Sequence, residues 1–391
     1  MNNLFAESSW SSLNKYGETL CGDRVQILRA EDGGTVMVLA DGLGSGVKAN
    51  ILSTLTSKII STMLAQQLSL EQAVAAIAKT LPICSERGVA YSTFTIVKIS
   101  PDGTAQVIDY DNPNTIMLRG GKIYDYTQTK RNIEGKDIYQ SVIHLQENDT
   151  FISMSDGALY ASDNEFFDMK NWTRDHVAKY CESIYSPEAT AQSLSASLMD
   201  KIYNLYGKVP KDDTTVCVIK MRRRKTVNVM IGPPADKKDD GLMLSLFFSR
   251  KGDKIVSGGT TAKLVSAYLG KPIVPIENSG DDEVPPMSSI EGVQLVTEGV
   301  VTLNKVLQYA EQRYESPQPF PEYACKQDGA SLIAEMLIDK ATDINFFFGK
   351  AVNSAQRADM EFVKIGMKQN LVDRLCRVLE KMNKTVKIYK F

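Results

Sequence analysis

VLADGLGSGVKANI, residues 38–51, joins three signals in one short stretch. Val36 to Ala40 is an apolar run with the length of a buried strand. Asp41 ends it, Gly42, Gly44 and Gly46 follow, and a helical pattern then begins. Gly44 to Ala49 fits G-x-G-x-x-A after a strand, the pattern of a dinucleotide-binding turn. That fold requires a second parallel strand roughly 30 residues on, with an acidic residue near its end. Residues 47–81 carry two successive helical patterns instead. The aspartate, rather than the glycines, is therefore the informative residue.

Working outward, Arg24–Arg29 and Thr35–Ala40 read as two strands joined by Glu31-Asp32-Gly33-Gly34, a hairpin signal. The helix over 47–66 has apolar residues at 47, 51, 52, 55, 59, 60, 63 and 64, a broad face that reads first as a core face. A second helix starts at Ser69, where Gln72 completes a capping box. Further strands follow up to Thr150–Ser155, which ends in Asp156-Gly157. Helical segments fill 174–206, and Thr214–Met221 is a strand preceded by Asp212-Asp213. Hairpins dominate, so this half is predicted to be α+β, with antiparallel sheets and helices packed outside.

The aspartates fall in phase with those strands. Asp41 and Asp156 each close a strand, while Asp23 and Asp212 each precede one. In an antiparallel pair the end of one strand lies beside the start of its neighbour. Asp23 should therefore lie near Asp41, and Asp156 near Asp212. Converging carboxylates repel unless a cation sits among them, and oxygen-only ligands suit Mg²⁺ or Mn²⁺. Two such ions could clamp a water and a phosphate for in-line attack. The carbonyl of Gly42 is a further oxygen in reach of a metal, and Gly42 and Gly157 are expected to keep the rim open. Singly, each of the four reads as an ordinary turn aspartate; together with the strand phasing they read as a metal cluster.

Composition narrows the alternatives. The chain has 391 residues, 43% hydrophobic and 24% charged, with a formal net charge of -2. That length predicts two domains or three, and that charge points to no nucleic-acid or membrane partner. No secretory signal and no membrane-spanning stretch is visible, so a cytoplasmic protein is expected. Cysteines at 21, 84, 181, 217, 325 and 376 have no metal-knuckle spacing and read as reduced thiols. His144 and His176 lack neighbours that would make a triad or a metal site.

After the basic run Arg222-Arg223-Arg224-Lys225, read as a solvated strand end, the pattern changes. The predicted division is a first domain over 1–222, a linker over 223–240 and a smaller domain over 241–391. The last has strands alternating with helices, which predicts an α/β layer with a mostly parallel sheet. Ser257, Gly258, Gly259, Thr260 and Thr261 lie between a strand and a helix there. Backbone amides and hydroxyls in such a turn suit an anionic small ligand, although a glycine turn with a threonine cap accounts for them equally. A regulatory, ligand-binding role is expected for this domain.

ADGLGSGVKA, SMSDGAL and DDTTVCVI, in this order, resemble the PPM-type metal-dependent serine/threonine phosphatases, and more narrowly their bacterial SpoIIE-like branch. Gly22-Asp23 matches a Gly-Asp near the start of that branch, and the resemblance covers residues 8–222. It implies an αββα sandwich of two antiparallel sheets and a dinuclear Mn²⁺ or Mg²⁺ site hydrolysing phosphoserine or phosphothreonine on a partner protein, in bacterial signalling. It implies that Asp41 bridges both ions, with the Gly42 carbonyl, that Asp156 and Asp212 complete one ion, and that Asp23 serves the other. Asp213 is then a supporting or additional-metal residue. No arginine precedes Asp23, where animal members hold phosphate with one; Arg24 follows it and should point to the other face. The resemblance leaves open whether the helix 47–66 is a movable element or a homodimer contact. Two alternatives stand beside the phosphatase: a catalytically silent phosphoprotein-binding scaffold, and a phosphatase acting on a small metabolite.

Overall fold

The computed structural model describes residues 3–80, 92–162, 172–316, 318, 320–351 and 358–391. The chain divides into two compact units, Met1–Arg223 and Arg224–Phe391. Cys84 lies outside the described residues.

The first unit runs β1 (Leu4–Leu13), β2 (Asp23–Arg29), β3 (Thr35–Asp41), α1 (Gly46–Ala65), α2 (Leu70–Thr80), β4 (Thr93–Ile99), β5 (Thr104–Tyr110), β6 (Ile116–Arg119), β7 (Lys122–Ile123), β8 (Thr129–Ile133), β9 (Lys136–His144), β10 (Thr150–Met154), α3 (Arg174–Ile184), α4 (Ala191–Leu205) and β11 (Thr214–Arg223). Its strands form two antiparallel sheets, ordered β2-β3-β4-β5-β9-β8 and β1-β11-β10-β6-β7. Strand alternation sends every second residue to one face. Met37 and Leu39 of β3 pack with Phe151 of β10 and Ile219 of β11, so the two sheets share one apolar layer. The intervening residues Val36, Val38 and Ala40 pack instead with Ile60, Leu64, Val74 and Ile77 of α1 and α2. Ile152, Met154, Val216 and Val218 do the same with Val177, Leu194 and Leu198 of α3 and α4. The result is the expected αββα sandwich.

Three features depart from the sequence reading. β1 was not expected. It is serine-rich, yet it pairs along its length with β11 as an edge strand, where few large apolar side chains are needed. The hairpin of β8 and β9 turns on Glu134 and Gly135, both at positive φ (51° and 78°). That is a turn better suited to Asn-Gly, so its signal is faint. The third departure is the face of α1. Val47, Ile51 and Leu55 are exposed, while Ala49, Ser53, Thr56, Ser57 and Ser61 are buried with Ile60 and Leu64. The broad apolar stripe is thus not the core face over the first half of the helix. Small side chains let the helix approach the sheet closely, and the large ones cannot fit there.

The second unit runs β12 (Thr226–Ile231), α5 (Asp240–Ser249), β13 (Asp253–Ser257), α6 (Gly259–Leu269), β14 (Val274–Pro275), β15 (Ser288–Ile290), β16 (Val293–Thr297), α7 (Val300–Glu315), α8 (Gly329–Ala334), β17 (Asp343–Phe348), α9 (Ala358–Lys381) and β18 (Thr385–Lys390). The sheet order is β14-β15-β16-β13-β12-β17-β18. Pairing is parallel from β16 through β18 and antiparallel only at the β14–β15–β16 edge. Residues 226–231, expected within a linker over 223–240, are the strand between β13 and β17. Val227, Val229, Met230 and Ile231 are wholly buried. Helices α7, α8 and α9 cover one face of the sheet, α5 and α6 the other. The basic run is paired rather than free: Arg222 with Glu7, Arg223 with Glu147, Arg224 with Asp343 and Lys225 with Asp253. Among the described residues no helix is long and apolar enough to cross a membrane.

Lys220 shows how the first unit ties its helical layer to a sheet. The side chain is fully buried, and its ammonium donates to the carbonyls of Ser186 (3.0 Å), Pro187 (2.8 Å) and Ala189 (2.7 Å) in the connection between α3 and α4. Burial pushes its pKa down to about 8. Lys220→Met leaves those carbonyls without a donor, and we expect it to destabilise the unit by about 3 kcal/mol. Urea unfolding checks this; an unchanged midpoint would show that the connection is held by other contacts.

Candidate metal centre

The layer between the two sheets changes character along its length. Val25, Leu39, Val97, Val107, Met117, Phe151 and Cys217 make its apolar part. Moving along each strand toward one end, the same inward parity brings Asp23, Asp41, Thr95, Asp109, Thr115, Ser153, Ser155, Thr215 and Asp213. Most of these are wholly or nearly wholly buried. An antiparallel sandwich therefore gathers polar residues from six or more strands at a single end simply by register.

Asp23 and Asp41 are direct cross-strand partners, and the Gly42 N–H donates to the Gly22 carbonyl at 3.1 Å just beyond them. Asp156 opens a short 3₁₀ turn after β10, and its carboxylate acts on that of Asp41. Asp212 is half-buried, and one of its oxygens accepts the Asp213 N–H at 3.0 Å. Burial, together with the Asp23, Asp156 and Asp212 carboxylates, pushes Asp41 far above the usual carboxylate range. Asp23 is also raised, first by burial, against the opposing hydroxyls of Ser155 and Thr215. Asp212 is raised by burial and by Asp156. Asp23 and Asp41 thus pair as strand phasing expects, and the Asp156 and Asp212 carboxylates lie near enough to act on Asp41.

Gly42 and Gly157 do something other than hold a rim open. A Cβ on Gly42 would lie 2.0 Å from the Ala49 carbonyl oxygen, and one on Gly157 would lie 2.1 Å from the Asp213 carbonyl oxygen. Each glycine lets a neighbouring backbone segment press directly against the residue after an aspartate.

The donor set fits hard divalent cations. Asp23 Oδ1 and Asp213 Oδ2 are buried without a hydrogen-bond partner. Like charges forced together in an apolar sandwich are relieved by a cation. Among the described residues no group of three or more His, Cys, Asp or Glu side chains is arranged to hold one ion. Asp23 and Asp41 stand as a facing pair across two strands. That suits ions such as Mg²⁺, which keep several waters and take only one or two carboxylates each.

Residues 31–222 match the family model for Stage II sporulation protein E (SpoIIE). This stretch is a SpoIIE-family domain. Among solved structures, the chain is similar to the phosphatase domain of SpoIIE from Bacillus subtilis, at 18% identity over 56% of this chain and 94% of that one, with a TM-score of 0.44. It is similar to the RsbU and RsbW domains of a Mycobacterium tuberculosis protein, at 15% identity over 68% of this chain and 71% of that one, with a TM-score of 0.45. It is also similar to RsbX in complex with magnesium, at 17% identity over 56% of this chain and 99% of that one, with a TM-score of 0.40. No curated protein matches the chain.

Within the SpoIIE domain, Asp41, Gly42, Asp156, Asp212 and Asp213 fall inside the matched stretch, and Asp23 precedes it. Ser155 is a residue that sequence reasoning missed. Its hydroxyl donates to Asp23 Oδ2 at 2.7 Å and accepts the Thr215 N–H at 2.9 Å. The available signal was parity, since Phe151, Ser153 and Ser155 share the inward face. Asp109 was missed for the same reason. It accepts hydrogen bonds from the Thr95 and Thr115 hydroxyls, both at 3.0 Å.

In the second unit, the Ser257–Thr261 turn is largely occupied by its own packing. The Ser257 hydroxyl donates to the Glu298 carbonyl (3.0 Å), and the Gly258 N–H to the Thr297 carbonyl (2.8 Å). The Thr261 hydroxyl accepts the Gly232 N–H at 2.9 Å. Of the five residues, Gly259 and Thr260 are the ones these bonds do not engage. The hydroxyls expected to meet an anion are largely structural.

Burial pushes Asp109 up to about 6. Its folded pKa lies above its unfolded value, so it stabilises the fold below about pH 4, and that contribution is lost as pH rises through about 6. Asp109→Asn should remove this slope. Between pH 4 and 6.5 the wild type should lose about 2–3 kcal/mol more than the variant. Chemical unfolding across that range checks it, and parallel curves would place the titration elsewhere.

Proposed function

We propose that the SpoIIE domain hydrolyses phosphoserine or phosphothreonine on a partner phosphoprotein in bacterial signalling, with two Mn²⁺ or Mg²⁺ ions. The observation that carries this reading is the cross-strand pair Asp23–Asp41 at one end of the two-sheet sandwich, with the Asp156 and Asp212 carboxylates acting on Asp41. In this reading Asp41 is shared by both ions, with the Gly42 carbonyl beside it. Asp156 and Asp212 hold one ion and Asp23 the other, while Asp213 supports them. Two hard cations bound there would acidify a water and offset the charge of the phosphoryl group.

The chain's own contribution is placement. Backbone pairing fixes Asp23 opposite Asp41, and the Ser155 hydroxyl holds Asp23 from the other sheet. The apolar layer behind the carboxylates keeps bulk water away from their inner side, so their charge stays strong. A scaffold that only bound phosphoproteins would have no need to bury these like charges. Whether the phosphate is carried by a protein or a small metabolite is decided by the substrate test.

We expect hydrolysis of a phosphoserine peptide with Mn²⁺, none with chelator, and a loss of at least about 10³-fold in Asp41→Ala. Full activity in chelator, or in the variant, overturns the proposal. Ser155→Ala removes one of the hydroxyls acting on Asp23 without touching a carboxylate. It should weaken Mn²⁺ binding by about 10–100-fold in calorimetric titration. Unchanged Mn²⁺ affinity would mean that backbone pairing alone orients Asp23.

A further inference from the structure

The connection from β1 to β2, residues 14–22, crosses the open end of the carboxylate layer and is fastened along its length. The Lys15 N–H donates to Asp213 Oδ1 at 3.0 Å, and the Tyr16 N–H to the Pro210 carbonyl at 2.8 Å. Lys15 and Glu18 close a tight turn, with the Glu18 N–H on the Lys15 carbonyl at 2.9 Å. Farther on, Glu18 Oε1 accepts the Ser45 hydroxyl at 3.3 Å, and the Cys21 carbonyl accepts the Asn50 amide at 2.7 Å. Lys15 is therefore held beside Asp212 and Asp213 by its backbone. Its side chain is half-buried, and its charge acts on the Asp212 carboxylate.

The charge balance gives this lysine a use. Asp23, Asp41, Asp156, Asp212 and Asp213, when ionised, bring five negative charges. Two divalent ions return four positive ones. A phosphoserine carries a further charge of about −1.5 to −2 at neutral pH. Without another cation, the substrate phosphate meets a site that is already negative. Arg24 does not supply that cation, because it is exposed on the strand face opposite Asp23. Among the described residues no ion pair ties Lys15 to an acid, and its hydrogen bond to Asp213 is made by the backbone.

We propose that Lys15 is the residue that holds the substrate phosphate, donating from its ammonium to a phosphoryl oxygen at the edge of the carboxylate site. This rests on the phosphatase reading above and adds the contact that reading lacks. A lysine acts here as a mobile point charge with three donors, suited to a phosphate that arrives and leaves at each turnover.

Lys15→Ala tests it cleanly, because alanine keeps the N–H that bonds Asp213. In full-length protein loaded with Mn²⁺, calorimetric titration with inorganic phosphate should show Kd rising about tenfold or more in Lys15→Ala. Lys15→Arg should recover most of that loss. KM for a phosphoserine peptide should rise in step, while Mn²⁺ affinity and the thermal midpoint without phosphate stay close to wild type. Equal phosphate affinity in Lys15→Ala and wild type overturns the assignment, as does a wild type that binds no phosphate. A parallel fall in Mn²⁺ affinity would also overturn it, by showing that the loop merely supports the carboxylates. A wild type that binds phosphate through Lys15 but hydrolyses no phosphopeptide keeps the assignment and removes the phosphatase reading.

Discussion

The Ser155 hydroxyl donates to Asp23 Oδ2 at 2.7 Å and accepts the Thr215 N–H at 2.9 Å, so one side chain joins β2 of the first sheet to β11 of the second. It does so where both sheets run out of apolar residues and the carboxylates begin. Elsewhere the sheets are held by Met37, Leu39, Phe151 and Ile219, and any similar apolar set of matching volume would serve. At the carboxylate end that freedom disappears. Asp23 is buried and must find donors, and mutual repulsion from Asp41 and Asp213 would otherwise open the sandwich. A hydroxyl that both donates and accepts meets both demands within one residue.

The glycines follow from the same crowding. Asp41 and Asp156 each end a strand, and the chain must leave at once without moving the carboxylate. After Asp41 it turns into α1, whose Ala49 carbonyl occupies the space a Gly42 side chain would need. After Asp156 it enters a 3₁₀ turn pressed on the Asp213 carbonyl, and the Tyr206 hydroxyl holds the Gly157 carbonyl at 2.6 Å. The small buried face of α1 belongs to this account as well. Ala49 also meets the space beside Gly22, the residue before Asp23. A larger residue there would push the helix off the two strand ends that carry the carboxylate pair.

Much of this was legible before any coordinate. The Asp41 strand, its hairpin with the Asp23 strand, and the order of motifs around Asp156 and Asp212 rest on short-range patterns, and short-range patterns survive in a single sequence. What stayed hidden was of two kinds. Ser155 and Asp109 look ordinary alone; their meaning depends on which face of the strand lies inside and, for Ser155, on Asp23, 132 residues away. The strand over 226–231 was hidden by its flanks, since the Arg-Lys run before it and Gly232-Pro233-Pro234 after it both read as connection. The α1 stripe misled for a different reason. Periodicity reports which residues share a face, not which face the sheet can accept at close range.

With the ions proposed above, a buried carboxylate cluster would make folding and ion binding one linked equilibrium. In the folded chain Asp41, Asp23 and Asp212 all hold protons more tightly than free aspartates do. The unfolded chain gives those protons up at ordinary acidic pH, so the unliganded fold is disfavoured as pH rises toward neutrality. A divalent ion that binds only the folded form reverses this, and its effect grows with concentration over Kd. Part of the intrinsic affinity of such a site is consumed in displacing protons and overcoming repulsion, so the observed affinity must be weaker at lower pH. The apolar sandwich, with Lys220 and Ser155 bracing it, has to be stable enough to hold this destabilising end together before any ion arrives.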